Sequence, residues 1–233
     1  MYKDENGLPV GAPLTNWQGA TLPGDKSLMG QYCEVQVARN SQCCAELYDA
    51  FSQDTVGSNW AYLPYGPFNT LSAFSAWFEQ TCLSADPLFH TIKDKQSGRL
   101  VGLASFLRIN PLAGSIEVGH IHFSPLMQRT PIATEAMFLM MSTVFEDLGY
   151  RRYEWKCDAL NGPSNNAAKR LGFQFEGIFR QATVYKSRNR DTAWYSVIDG
   201  EWPTLKKAFL QWLDPNNIDS SGQQKQSLAS FRN

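Results

Sequence analysis

The stretch that decides the fold is Asn161-Gly162-Pro163-Ser164-Asn165-Asn166-Ala167-Ala168-Lys169-Arg170-Leu171-Gly172-Phe173-Gln174-Phe175-Glu176-Gly177. Asn161 and Ser164 suit a helix N-terminus, and Gly172 suits a left-handed stop, so Ser164–Leu171 reads as a short helix. A strand from Phe173 to Tyr185 follows it. A capped helix ending in glycine accounts for Asn161, Ser164 and Gly172, but it leaves the rest of the string unexplained.

Working upstream, Tyr153–Cys157 is a short strand. Before it, Ile132, Ala133, Ala136, Met137, Met140, Val144 and Leu148 recur at three and four residues, which predicts a long helix ending at Gly149. Three strands precede that helix: Phe89–Asp94, Leu100–Ile109 and Ile116–Phe123. Turns at Gln96-Ser97-Gly98 and Leu112-Ala113-Gly114 join them into an antiparallel meander. Earlier still come a strand at Gln31–Ala38 and helices at Ser41–Phe51 and Thr70–Leu83. Downstream, Thr192–Ile198 is a strand and Trp202–Leu213 a helix. The order β-α-α-β-β-β-α-β-α-β-β-α, a meander followed by a β-α-β crossover, predicts an α/β chain with a mixed sheet and helices on both faces. Residues 29–213 form one domain in this reading. Residues 1–28 form an extended N-terminal arm, and 214–233 a polar, loose C-terminal tail.

The turn Ser124-Pro125-Leu126-Met127-Gln128-Arg129-Thr130-Pro131-Ile132-Ala133-Thr134 leads from a strand into the long helix. Such a junction aims unpaired backbone N–H groups and the positive end of a helix at one point, which is the physics of a phosphate cradle. Arg129 adds charge there.

The Asn161–Gly177 string matches the N-x-x-S…L-G-F-x-x-E-G signature and resembles the GNAT superfamily of acetyltransferases, in particular its RimJ/RimL-like group. The resemblance continues through Phe179-Arg180-Gln181-Ala182 and Arg190-Asp191-Thr192-Ala193-Trp194-Tyr195, and reaches back to Cys157. It implies the acyl-CoA N-acyltransferase fold, a splayed mixed sheet, with acetyl-CoA as co-substrate. It also implies an acceptor amine, either a protein N-terminus or a small molecule. In the family a Q/R-x-x-G-x-G/A loop holds the pyrophosphate. The matching positions are Gln128, Arg129, Thr130, Pro131, Ile132 and Ala133, with proline in place of a glycine. Proline has no N–H to donate, so Arg129 and the Thr130 and Thr134 hydroxyls are the candidates to compensate.

The resemblance also implies roles. The pantetheine pairs with the open edge of the Ile116–Phe123 strand, where a backbone N–H among Ile121, His122 and Phe123 points at the thioester oxygen. Asn161 bonds the pantetheine arm, and Ser164 protonates the departing thiolate. Where the group carries a glutamate after its Q-A pair, this chain has Thr183, which is no base near neutral pH. Glu117 is then the candidate base, with His120, His122 and Asp191 as alternatives, and a paired structural carboxylate as the competing reading of Glu117. Strict alternation places Glu117, Gly119 and Ile121 on one face of the strand and His120 and His122 on the other. An α-amine, with a pKa near 7.7–8.0, is already partly neutral, so a water relay also suffices. Asp191 reads as a hairpin anchor. The aromatic loop Asn59-Trp60-Ala61-Tyr62-Leu63-Pro64-Tyr65-Gly66-Pro67-Phe68 lies where the fold covers its acceptor, so Trp60, Tyr62 and Tyr65 are candidate substrate contacts. The competing reading is a loop packed onto the core by its own rings. A GNAT-fold sensor or scaffold that binds acyl-CoA without turnover is the alternative function, and a homodimer is in keeping with a group whose members often pair.

Composition narrows the classes. A formal net charge of −1 over 233 residues gives no electrostatic reason to expect nucleic acid or an anionic membrane as partner. The five cysteines form no CxxC pair and no metal-ligand spacing, so no metal is expected and reduced thiols in a cytoplasm are the simplest reading. No apolar run approaches the roughly 18 residues of a membrane span.

Overall fold

Alternation and helical spacing resolve, in a computed structural model that describes residues 1–220 and 223–232, into ten strands and five α-helices. In chain order these are β1 (Tyr2–Lys3), β2 (Pro9–Val10), β3 (Leu28–Met29), β4 (Cys33–Val37), α1 (Cys44–Ser52), α2 (Leu71–Thr81), β5 (Leu88–Asp94), β6 (Leu100–Asn110) and β7 (Ser115–Phe123). There follow α3 (Pro131–Ser142), β8 (Arg152–Asp158), α4 (Gly162–Leu171), β9 (Gln174–Tyr185), β10 (Arg188–Ile198) and α5 (Trp202–Leu213). The β4-to-α5 order is the one read from the sequence, with the short strand β3 added at the edge. The long helix differs at its end: α3 stops at Ser142 and one π-helical turn, Thr143–Asp147, carries the chain to Gly149 at φ 72°.

Eight strands form one sheet in the order β3-β4-β5-β6-β7-β8-β10-β9, and only the β7–β8 join is parallel. Neighbouring residues on β6 show the two faces. Leu103 joins an aromatic cluster under α1 and α2, with Phe51, Trp60, Phe74 and Phe78. Ala104 joins a larger cluster with Met137, Met140 and Met141 of α3 and Phe209 and Trp212 of α5. Burying each such large side chain contributes about 1.5–3 kcal/mol.

Glu135 of α3 stabilises the start of β4 from below. Its buried carboxylate accepts from the backbone N–H groups of Gln31, Tyr32 and Cys33, each at 2.7 Å. The N-terminal arm is not extended throughout, as the sequence predicts: residues 2–10 fold back as the β1–β2 hairpin. The arm is anchored where Trp17 donates its indole N–H to Leu112 O (2.8 Å) and Thr21 N–H bonds Leu148 O (2.8 Å). The described part of the C-terminal segment is not loose. Leu228 is buried in the main core, and Asn217 donates to Trp212 O at 3.0 Å, so a few apolar contacts fold the polar segment back on α5. Among the described residues no helix is long and apolar enough to cross a membrane.

Candidate active site

The site follows from where the β7–β8 pairing stops. The two strands pair from Ser115↔Arg152 to Val118↔Trp155 and then diverge, which leaves Gly119–Phe123 without a partner on that side. A cavity of about 520 Å³ occupies the gap, lined by β7, β8, the start of α4, the Asn59–Pro64 segment and the β9–β10 hairpin.

A β-bulge shapes the open part of β7. The register jumps from Ser105↔Gly119 to Leu103↔His122, so His120 and Ile121 oppose a single residue of β6, and His120 takes φ 49°. One extra residue reverses the alternation beyond it. Glu117, His120 and His122 therefore share the α1/α2 side, and Ile121 turns toward the α3 side. This corrects the strict alternation expected from sequence: Glu117 and His120 line the cavity together. His122 does not reach it. Its ring stacks on Trp60 at 3.8 Å and meets Phe51 edge-on at 4.2 Å, with neither ring nitrogen hydrogen-bonded. Burial pushes its pKa down to about 3.

The same register assigns the backbone groups. Ser124 N–H bonds Val101 O (3.0 Å) on β6 and His122 is paired with Leu103, so the peptide groups of Ile121 and Phe123 face the open edge. Of the three positions read from sequence as backbone donors, His122 is the one turned away. The Phe123 carbonyl is met from the open side by Gln128 Nε2 (2.8 Å) and Asn59 Nδ2 (3.4 Å).

Glu117 is buried and its Oε2 accepts from Arg108 Nη1 (2.7 Å) and Lys156 Nζ (2.8 Å). Its Oε1 has no partner among the described residues. Burial raises the carboxyl pKa, and Lys156 and Arg108 oppose that rise. Lys156 also bonds Glu154 (2.8 Å) and lies 3.8 Å over the Trp194 ring. Asp86 fixes Arg108 by accepting its backbone N–H (2.9 Å). His120 Nδ1 bonds the Tyr65 hydroxyl at 2.8 Å, and burial, Arg108 and Arg190 hold its pKa down to about 4.

Asn161 Oδ1 caps α4 by accepting Ser164 N–H (3.1 Å), so asparagine, not serine, is the cap. The Ser164 hydroxyl lines the cavity and accepts from Trp155 Nε1 (3.0 Å), and the Cys157 thiol is a second hydrogen-bonding neighbour.

The Gln128–Thr134 loop is differently placed. Arg129 is exposed at φ 61°, and Thr130 precedes α3 without a side-chain cap, its hydroxyl donating to Met127 O (2.7 Å). Pro131 opens the helix, and Ile132 and Ala133 pack partly against the main core. The Thr134 hydroxyl is buried and accepts from Arg170 Nη2 (2.7 Å).

Of the three candidate acceptor rings, Tyr62 lines the cavity and donates to Leu160 O (3.1 Å). Trp60 is buried against His122, Phe51 and Phe68, so it builds the core rather than the site. Tyr65 does not line the cavity; its hydroxyl bonds His120, which does. Asp191 accepts from Gln181 N–H (2.8 Å) and Asn189 Nδ2 (3.0 Å) and anchors the hairpin from its exposed side. Arg108, Trp155, Lys156, Arg190 and Trp194 were not singled out from sequence, because the pairings that bring them to the cavity join distant strands. No group of residues with metal-binding geometry occurs among the described residues, and all five cysteines are free thiols.

This geometry agrees with known relatives. A family model described as "Acetyltransferase (GNAT) domain" matches residues 44–174, more than half of the chain. A solved GCN5-related N-acetyltransferase from Brucella melitensis is 47% identical, covers 94% of this chain and 99% of its own, and superposes with a TM-score of 0.92. A probable GNAT-family acetyltransferase from Chromobacterium violaceum is 40% identical over 84% of this chain and 98% of its own, with a TM-score of 0.78. The ribosomal-protein-serine acetyltransferase of Escherichia coli (strain K12) is 31% identical over 103 residues, 44% of this chain. The chain spans about half the length of the curated relatives it matches, 57% and 50%. With the splayed sheet, the open β7 edge and the Asn161–Gly177 signature, these matches place the chain in the GNAT acetyltransferase family.

Proposed function

We propose that the protein is an N-acetyltransferase that moves the acetyl group of acetyl-CoA to a primary amine by direct attack in a ternary complex. The observation that carries this reading is the convergence, in one cavity, of an open strand edge, a hydroxyl polarised by an indole N–H and a buried carboxylate with a free oxygen. The Ile121 and Phe123 peptide groups would hold the pantetheine and polarise the thioester oxygen. The unbonded N–H groups at the start of α3, with Arg129, would hold the pyrophosphate.

Attack forms the C–N bond and breaks the C–S bond. The amine proton passes to Glu117 Oε1, and the thiolate takes its proton from Ser164, whose Oγ is polarised by the Trp155 indole. Ser164 regains a proton from solvent as Glu117 releases one, so the net proton transfer is from amine to thiol. Glu117 is favoured over His120 because burial raises its basicity, whereas the same burial with two nearby arginines lowers that of His120. The acceptor is an α-amine of a protein N-terminus or a small amine. The second reading, an acyl-CoA sensor without turnover, is favoured only by Pro131 and Thr183, which depart from the family pattern.

The test is CoA release against a panel of amines and N-terminal peptides, on wild type and Glu117→Gln. Wild type turns over, and the variant loses about 10²-fold in kcat. Deprotonated Glu117 is the active form, so kcat/KM of the wild type rises with pH through a carboxylate pKa above the ordinary range. That limb is absent in the variant, which keeps only the limb of the amine. Acetyl-CoA binding with no turnover on any acceptor would establish the sensor instead.

A further inference from the structure

Charge around the cavity is uneven. Two of the cations lining it are neutralised: Arg108 by Glu117, and Lys156 by Glu117 and Glu154. The third, Arg190, donates only to Thr192 Oγ1 (3.2 Å) and lies 6.0 Å from the centre of the Tyr185 ring. It belongs to a hairpin segment, residues 180–190, that contains Arg180, Lys186, Arg188 and Arg190 and no acidic residue. Among the described residues none of these four has a carboxylate within 4.0 Å. The neighbouring acids are committed elsewhere, Asp191 to Gln181 and Asn189, and Asp158 to Leu160 N–H and the Tyr185 hydroxyl. A chain of net charge −1 thus concentrates unpaired positive charge on one element.

That element forms the rim of the cavity. Lys186, at the tip, donates to Trp60 O (2.8 Å), tying the hairpin to the loop that closes the other side. Along β10, Arg190, Thr192 and Trp194 line the cavity, and Arg188 has the same parity, about 7 Å farther out along the strand. One unpaired guanidinium lies in the wall and the next lies just beyond the rim, on a line leading outward.

From this arrangement we infer that the acceptor is the N-terminal amine of an acidic peptide segment, with carboxylates in its first few residues met by Arg190 and then Arg188. The inference rests on the acetyltransferase reading and adds the substrate class. A guanidinium without a protein partner is satisfied by an incoming carboxylate through paired N–H donors. Two such groups in line suit successive side chains of an extended peptide. A small amino acid, with one carboxylate, would engage Arg190 alone.

The experiment measures kcat/KM of the full chain with acetyl-CoA on matched peptides that begin with serine. One carries Asp and Glu at positions two to four, the second has Asn and Gln there, and free serine is the third acceptor. The acidic peptide is preferred over the neutral one by about tenfold, and the ratio shrinks as salt rises. In Arg188→Gln the ratio falls, and in the Arg188→Gln/Arg190→Gln double variant it approaches one. Arg188→Glu, an exposed change that spares the fold, inverts the ratio between acidic and lysine-bearing peptides. Equal wild-type rates on acidic and neutral peptides overturn the inference and leave the acetyltransferase reading standing. Faster turnover of free serine, sensitive to Arg190 but not Arg188, also overturns it in favour of a small carboxylated amine. Acetyl-CoA binding with no product from any acceptor defeats the underlying reading.

Discussion

Two strand-to-helix junctions flank the mouth of the cleft, and they differ in how much of their hydrogen bonding is already spent. At the β8–α4 junction Asn161 caps the helix, Asn165 Nδ2 bonds Asn161 O (2.8 Å), and Asn165 Oδ1 accepts from the Tyr195 hydroxyl (2.6 Å). The Ser164 hydroxyl is set by Trp155, and Gly172 closes the helix at φ 100°. At the β7–α3 junction no side chain caps the helix, Pro131 replaces a donor, and Arg129 holds a left-handed conformation that costs about 1 kcal/mol. The first junction is prebuilt and suits precise placement of a reacting group. The second keeps its first-turn N–H groups unspent, which suits an anion that arrives with the ligand.

Ser164→Ala tests the prebuilt junction most directly. Turnover falls about 10²-fold while acetyl-CoA affinity changes by less than about threefold, as read from kcat and from direct titration. An unchanged kcat would remove Ser164 from the chemistry. Asn161→Ala comes next. Chemical denaturation shows a loss of about 1 kcal/mol, whereas Thr130→Ala at the uncapped junction costs less than about 0.5 kcal/mol. Similar losses at the two sites would erase the contrast. The smallest effect is expected from Arg129→Gly, which relieves the left-handed strain and raises the melting temperature slightly. The same change weakens acetyl-CoA binding a few-fold through loss of the charge. Tighter binding in this variant would mean that Arg129 obstructs the loop.

The meander, the crossover and α4 were legible in the sequence because each has its own periodicity and turn residues. The candidate site was legible only in part. Asn161, Ser164 and Glu117 come to the cavity as read. His120 joins Glu117 there because the bulge beside it reverses the alternation, and the isolated Gly119 inside the strand is the local sign of that bulge. His122 takes the same side but is held away from the cavity by Trp60 and Phe51. Trp60 and Thr134 also went elsewhere, one into the aromatic cluster and one to Arg170, through contacts with residues far away in sequence.

Local spacing and the Asn161–Gly177 string thus determined the element order, the parallel β7–β8 join and the family. Tertiary structure alone decided which face His120 and His122 take, which cations are neutralised and which stay unpaired. It also drew Glu135 under the start of β4. The physical reason is range: capping, turn and periodicity energies act within a few residues, whereas bulges, buried ion pairs and open strand edges are set by partners that only the folded sheet brings together.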